Sequence, residues 1–245
     1  MELLGDPSGR TAGQHARAAV QRLRLRTLTI LGLLAVATAL LGRAFGLHDL
    51  RFVGSELALL ASMFVISHYV LPLVDRRDRG ARAEEHVGSL LDELTRPQWR
   101  VVHDASLGRG NVDHIVIGPA GVFTIETKSH PGPVRVRDVH GATLRQAQAE
   151  GRVLEKITGL HVEPLLVFSR AWVDRPLARR KGVRVVPAQM LVSYLAGGRA
   201  RLSDEEIERA HRLLSAALAD CLAAERAAQE RWRLRVAQER WRAGR

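Results

Sequence analysis

The sequence predicts a mixed α/β domain, a mixed sheet flanked by helices, preceded by two transmembrane helices. Three observations lead there. Two long apolar stretches lie within the first third of the 245 residues. Helical and strand periodicities alternate after Ala83. A Gly118-Pro-Ala-Gly121 turn joins two apolar runs, a strong hairpin signal.

The apolar stretches come first along the chain. Leu28 to Leu41 carries no charge, and Phe52 to Val74 carries only Glu56. A span needs roughly 20 mostly apolar residues. Phe52–Val74 fits directly. The first span reaches that length from Thr27 to Leu47, with Arg43 snorkelling at one end. Gly46 to Arg51 then forms the turn of a hairpin over residues 27–74. Glu56, four residues in from Phe52, falls near the interface. Arg17, Arg22, Arg24 and Arg26 precede the first span, and Arg76, Arg77, Arg79 and Arg82 follow the second. The turn has only Arg43 and Arg51 beside it. The positive-inside rule therefore puts both ends, and the domain that follows, on the cytoplasmic side of a cell membrane. A cleaved signal peptide would account for the first stretch, but a second span directly behind it argues against that.

Residues 1–26 read as a basic N-terminus and Asp75–Arg82 as a charged linker. Ala83–Leu94 is a helix, with Ala83, Val87, Leu90, Leu91 and Leu94 on one face and Pro97 ending it. Strands follow at Trp99–His103, Val112–Ile117 and Val122–Thr127. A helix over Thr143–Thr158 buries Leu144, Ala147, Gly151, Leu154 and Ile157. Val162–Phe168 is a short apolar run suited to a buried central strand, and Val183–Val186 is another strand. Pro187 opens a small helix ending at Gly197-Gly198. Ser203-Asp-Glu-Glu206 is a capping box, and Ile207, Ala210, Leu214, Leu218 and Cys221 continue a helical stripe. The domain is placed at 83–200, with a C-terminal helix and basic tail at 201–245. The tail repeats AQERWR at 228–233 and 237–242. The nine-residue offset puts Trp232 and Trp241 on opposite faces of a helix, which favours a solvated charged helix over a membrane-surface helix.

Composition narrows the function classes. A formal charge of +11 favours contact with phosphates, in nucleic acid or anionic lipid. A single cysteine, Cys221, excludes an intrachain disulfide and a CxxC zinc site. Eleven aromatic residues argue against base stacking as the main mode of nucleic-acid contact. No phosphate-binding glycine loop or nucleophile elbow is present.

The chemistry concentrates between Asn111 and Ser129. If Gly118 faces Gly121, Asp113 lies opposite Glu126, their Cβ atoms roughly 4.5–5.5 Å apart. Lys128 shares their face. Like charges directly opposite repel. A divalent cation between them removes the repulsion, and two carboxylates with spare water positions suit Mg²⁺ or Mn²⁺. A lysine beside them orients or deprotonates an attacking water, or stabilises charge developing on a phosphate. This is a layout for metal-assisted phosphodiester hydrolysis. An exposed salt-bridging pair is the plainer reading of Glu126 and Lys128. His114 falls on the opposite sheet face and reads as structural. Neither His103 nor His130 has the spacing of a zinc ligand.

Asp-x(12)-Glu-x-Lys on a hairpin resembles the PD-(D/E)xK pattern of restriction-endonuclease-like nucleases. VDHIVIGPAGVFTIETKSHPG, preceded by AEEHVGSLLDEL and followed by LRQAQAEGRVLEKI and VEPLLVFS, is similar to the nuclease-related domain (NERD) family over about residues 83–196. The resemblance implies that Asp113 and Glu126 hold the metal, that Lys128 is the catalytic lysine, and that Glu84 completes the metal shell. Gln146 matches the glutamine on the helix after the hairpin. Glu84 reads equally as a first-turn acid favoured by the helix dipole, and Gln146 as the end of a Thr143-x-x-Gln146 capping box. Ala83 stands where the family usually has Gly, and Ser129 where it often has Asn. The expectation is a membrane-anchored, Mg²⁺- or Mn²⁺-dependent nuclease acting on nucleic acid, DNA before RNA. The alternative is a catalytically silent module that binds nucleic acid or a partner at the membrane.

Overall fold

A computed structural model describes residues 11–45, 50–94, 97–108 and 110–243. The chain divides into two compact units, residues 14–82 and a unit whose described part is 11–13 with 83–243.

In the first unit, α1 (Gln14–Phe45) and α2 (Leu50–Val65) pack against each other. A π-helical segment, Ile66–Val70, leads into α3 (Leu71–Leu91). Helical backbone is thus continuous through the expected linker at Asp75–Arg82. The segment holds no proline, and Arg82 pairs with Asp78 one turn back at 2.6 Å. The helices Arg17–Ala44 and Val53–Leu91 are long and apolar enough to cross a membrane. Their large side chains, Leu33, Leu40, Leu57 and Phe64 among them, point outward rather than into a core. Residues 46–49 of the expected hairpin turn, the Leu47 end of the first span and residues 1–10 lie outside the described residues.

The second unit is built on a six-stranded mixed sheet. Its strands are β1 (Arg100–Ser106), β2 (Asn111–Gly118), β3 (Gly121–Lys128), β5 (Val162–Phe168), β7 (Arg179–Arg180) and β8 (Val183–Pro187). Their order is β1-β2-β3-β5-β8-β7. The first three are an antiparallel meander, and β3, β5 and β8 run parallel. The β2–β3 register runs from His114 opposite Ile125 to Gly118 opposite Gly121, as the turn predicts. Gly121 takes φ +140, and a Cβ on Gly118 would collide with the Trp99 ring. The turn therefore needs both glycines.

Strand β5 carries apolar side chains on both faces because helices cover both. The C-terminal turns of α3 and the short α5 (Leu191–Ala196) pack with Phe123, Ile125, Leu165 and Val167. On the other face, α4 (Gly141–Thr158) covers Leu166 and Phe168. Leu154 of α4 also joins Ile207, Leu214 and Leu218 of α6 (Asp204–Ala243) over Ile115 and Ile117. The capping box forms, with Ser203 N–H donating to Glu206 Oε2 at 2.8 Å and Glu206 N–H to Ser203 Oγ at 3.3 Å. Residues 201–218 are thus part of the core that the expected boundary at 200 would divide. Beyond Ala223 the helix is exposed, Trp232 and Trp241 included.

Three elements escape the sequence patterns. Strands β4 (Gly132–Val134) and β6 (Ala171–Val173) form a separate two-stranded parallel sheet, and β7 is two residues long. All three are too short to show a period. Helix α3 ends at Leu91, ahead of the expected Leu94. Its last turn tightens, with Leu94 N–H donating to Leu91 O at 3.0 Å.

Candidate active site

The meander brings the sequence motif to one end of the sheet. Extending the β2–β3 register by one pair sets Asp113 opposite Glu126. Asp113 Oδ2 accepts from Thr127 N–H at 2.7 Å. Glu126 is buried, 3% exposed, although it is a carboxylate. Its Oε1 accepts from Lys128 Nζ, and its Oε2 from Gln146 Nε2 at 2.9 Å. Gln146 also donates to Glu150 Oε1 at 3.0 Å. The expected Thr143–Gln146 capping box does not form, because α4 starts two residues earlier. His140 caps it, its Nδ1 accepting from Ala142 N–H at 3.3 Å. Gln146 is left to bridge two carboxylates.

Burial and like charge govern the protonation of this cluster. Burial raises the Asp113 carboxyl well above the usual carboxylate range, and the charges of Glu126 and Glu84 push the same way. Glu84 is pushed up to about 7 by burial, then by Asp104 and Glu126. Burial and Glu126 push Glu150 up to about 8. Burial alone would lower the Lys128 ammonium, but Glu126, and behind it Asp113 and Glu150, hold it above its ordinary value. The lysine is thus held as a cation by the acids around it. Glu84, Asp113, Glu126, Lys128 and Gln146, the five residues named from the sequence, fall within one electrostatic and hydrogen-bonded group.

Two further carboxylates belong to it. Glu150 lies one helical turn past Gln146, and that i,i+4 spacing on α4 is a signal the sequence offers. Asp104 has no such signal. It lies across from Asp113, between the His103–His114 and Ala105–Val112 pairs of β1 and β2. It is 3% exposed, takes φ +52, and accepts from Asn111 Nδ2. A left-handed aspartate inside a strand is sparsely populated backbone of the kind found at functional sites. His114 is buried on the α3 face, its Nδ1 2.8 Å from His103 Nδ1. Burial first, and His103 second, lower its pKa to about 3, so it is neutral and structural.

The donors here are hard carboxylate oxygens, which suit Mg²⁺ or Mn²⁺ better than softer ions. Among the described residues no group of three or more His, Cys, Asp or Glu side chains is arranged to enclose a metal. Mg²⁺ asks for less, taking one or two carboxylates and keeping several waters. The mutual charge repulsion of Asp113 and Glu126 is what such a cation relieves.

A buried carboxylate pair with a charged lysine, on a mixed sheet covered by helices, defines a nuclease-like class of site. Residues 79–169 match the family model described as the nuclease-related domain, NERD, and the chain carries that domain there. No curated protein matches the chain. Two solved structures align with it at 16% identity and a TM-score of 0.28. One is a repair endonuclease from Pyrococcus abyssi, aligned over 49% of this chain and 47% of its own. The other is the EndoMS–dsDNA2 complex, aligned over 50% of this chain and 45% of its own. The chain thus spans less than half the length of either.

Proposed function

We propose that this protein is a membrane-anchored, divalent-metal-dependent nuclease that hydrolyses phosphodiester bonds of nucleic acid, DNA before RNA. The observation that carries the reading is the convergence of Asp113, Glu126, Lys128, Glu84 and Gln146 on one buried, charge-frustrated group. Residues 27–74 anchor it, with both termini on the cytoplasmic side by the arginine asymmetry.

Asp113 and Glu126 would hold the cation, and Glu84 would complete its shell. A bound Mg²⁺ or Mn²⁺ lowers the pKa of a coordinated water and offsets charge on the phosphate. Lys128, held cationic by its neighbours, stabilises the negative charge that builds on the phosphate as water attacks in line. The bond from phosphorus to the water oxygen forms as the bond to the leaving oxygen breaks. One proton leaves the water and the leaving oxygen gains one. Gln146 positions Glu126 through its bond to Oε2. Arginine-rich surfaces hold flanking phosphates without reading sequence.

The test uses the full chain, purified in detergent, with supercoiled plasmid, linear DNA and RNA, in Mg²⁺, Mn²⁺ or EDTA. Metal-dependent cleavage that disappears in a folded Asp113→Ala variant is the expected result. Absence of cleavage by the folded wild type on every substrate would favour the silent binding module.

A further inference from the structure

A cavity of about 660 Å³ opens beside the site, on the far side of Lys128. Lys128, His130, Arg135 and His140 line it, together with Pro133 and Phe168. Two of its lining residues are cations, Lys128 and Arg135, and much of the rest is apolar or neutral. Its one carboxylate, Asp138, is met by Arg137 at 3.6 Å. His140 accepts at Nδ1 from the helix backbone, so the neutral ring carries its proton on Nε2 and has a donor to offer. The His130 ring stands edge-on to Phe168, their centroids 6.5 Å apart.

An aromatic side chain neighbours one residue of this lining. Pro133 pairs with Trp172 across the small β4–β6 sheet. Paired residues share a face, and neighbouring strands lie about 4.8 Å apart. Trp172 therefore stands next to Pro133 on the outer face, while Val134, Ala171 and Val173 point inward. It is 64% exposed, and no hydrogen bond or ring contact of the described residues holds it. Its strand partner Pro133 lines the cavity that reaches Lys128.

A basic groove with an exposed aromatic at its edge is how single strands are held: cations track the backbone and the ring stacks on a base. Inside a duplex each base face is covered by its neighbours, so a stacking ring engages an unpaired nucleotide or a duplex end. We infer that Trp172 and the Lys128–Arg135–His140 cavity form a subsite for an unpaired nucleotide adjoining the cleaved phosphate, its base on Trp172 and its phosphate in the cavity. The inference rests on the nuclease reading for the position of the cut. It makes the preferred substrate a single strand, or a duplex end or flap with an unpaired nucleotide.

Binding in EDTA separates this subsite from catalysis. The full chain in detergent is titrated with a fluorescein-labelled oligo-dT of about 12 nucleotides, with the same oligomer annealed to oligo-dA, and with anionic phosphatidylserine vesicles. The single strand is expected to bind more tightly. Trp172→Ala should weaken single-strand binding by about 5- to 100-fold, while Trp172→Phe stays within about threefold and duplex binding barely moves. Arg135→Ala should weaken single-strand binding by about 10-fold. Equal loss on both nucleic acids, or no loss with Trp172→Ala, overturns the inference. A Trp172→Ala effect confined to vesicles overturns it too, and assigns the ring to the bilayer. Because no cleavage is involved, failure here leaves the Asp113→Ala test of the nuclease untouched.

Discussion

Two buried acidic groups at opposite ends of β3 and β5 have been treated in opposite ways. At one end, Glu163 on β5 is 9% exposed and fully matched. It accepts from Arg179 at 2.7 Å, Arg184 at 2.6 Å and Tyr194 at 3.0 Å. Burial alone would raise its pKa, but these three bonds hold it below the usual carboxylate range. At the other end, Glu126 accepts from Lys128 and Gln146, Gln146 also reaches Glu150, and Glu84, Asp104 and Asp113 lie in the same electrostatic group. The carboxyls of Glu84, Asp113 and Glu150 are raised, not lowered. A structural acid is paired until its charge is comfortable. A cluster of like charges buried together is a different arrangement, its ionised form held back by burial and by its neighbours.

Substitutions sharpen this contrast. The largest stability effect belongs to the paired end. Glu163→Ala strands Arg184 and Tyr194 and should cost about 3 kcal/mol or more, read as a lower denaturant midpoint. The largest effect on activity belongs to the frustrated end. Asp113→Asn should lower cleavage by at least about a hundredfold without lowering that midpoint, because it removes a repelling charge. If it unfolds the domain as Glu163→Ala does, the two ends are energetically alike and the comparison fails.

The pH dependence of stability should differ in sign. Glu84 has a folded pKa of about 7 against an ordinary 4.5, so the folded state binds more protons between those values. Stability is then higher below that window and falls as pH rises through it, by up to about 1.4 kcal/mol per pH unit. Glu84→Gln should flatten this slope in midpoints measured from pH 4.5 to 7. Glu163 is lowered, so its contribution is present above 4.5 and lost as pH falls below it. Glu163→Gln should remove that acid-side loss and leave the neutral slope alone.

Smaller effects follow from residues that act through others. Gln146→Ala should lower cleavage about 10-fold, with little change in the substrate concentration at half-maximal rate, because the residue touches Glu126 and not the substrate. Trp232→Ala, on the exposed half of α6, should shift stability by less than about 0.5 kcal/mol. A larger shift would show that the Trp232 ring packs against a partner.

The site was legible because its key residues lie close in sequence on a pattern with a rigid geometry. A tight Gly118–Gly121 turn fixes the register, and the register alone sets Asp113 across from Glu126 with Lys128 beside them. The helical stripes were legible for a similar reason: Val87 and Leu91, Leu144 and Leu154, and Ile207 and Leu214 repeat often enough to show their period. Gln146 was recognisable only by resemblance, since its plainer local reading was a cap. The use of His140 as the cap is what freed it. Glu150 was overlooked although its spacing from Gln146 marks it.

Other features had no local signal. Asp104 becomes part of the site through a left-handed backbone conformation, which a non-glycine residue does not advertise. Strands β4 and β6 exist because each completes the other from some forty residues away, and two-residue β7 because the Lys181-Gly182 turn folds it back on β8, not because two or three residues prefer to be extended. The charged run Asp75–Arg82 reads as a linker by composition, yet it is helical because the turns on either side propagate through it. By itself the sequence determined two apolar helices, the alternating elements, the hairpin register and its acid–acid–lysine motif, all set by short-range periodicity and turn chemistry. The tertiary structure decided which charges are buried together, which are neutralised as at Glu163, and which repel one another as at Asp113 and Glu126. Electrostatic energy depends on distance and burial across strands and helices, and neither is written in the local order of residues.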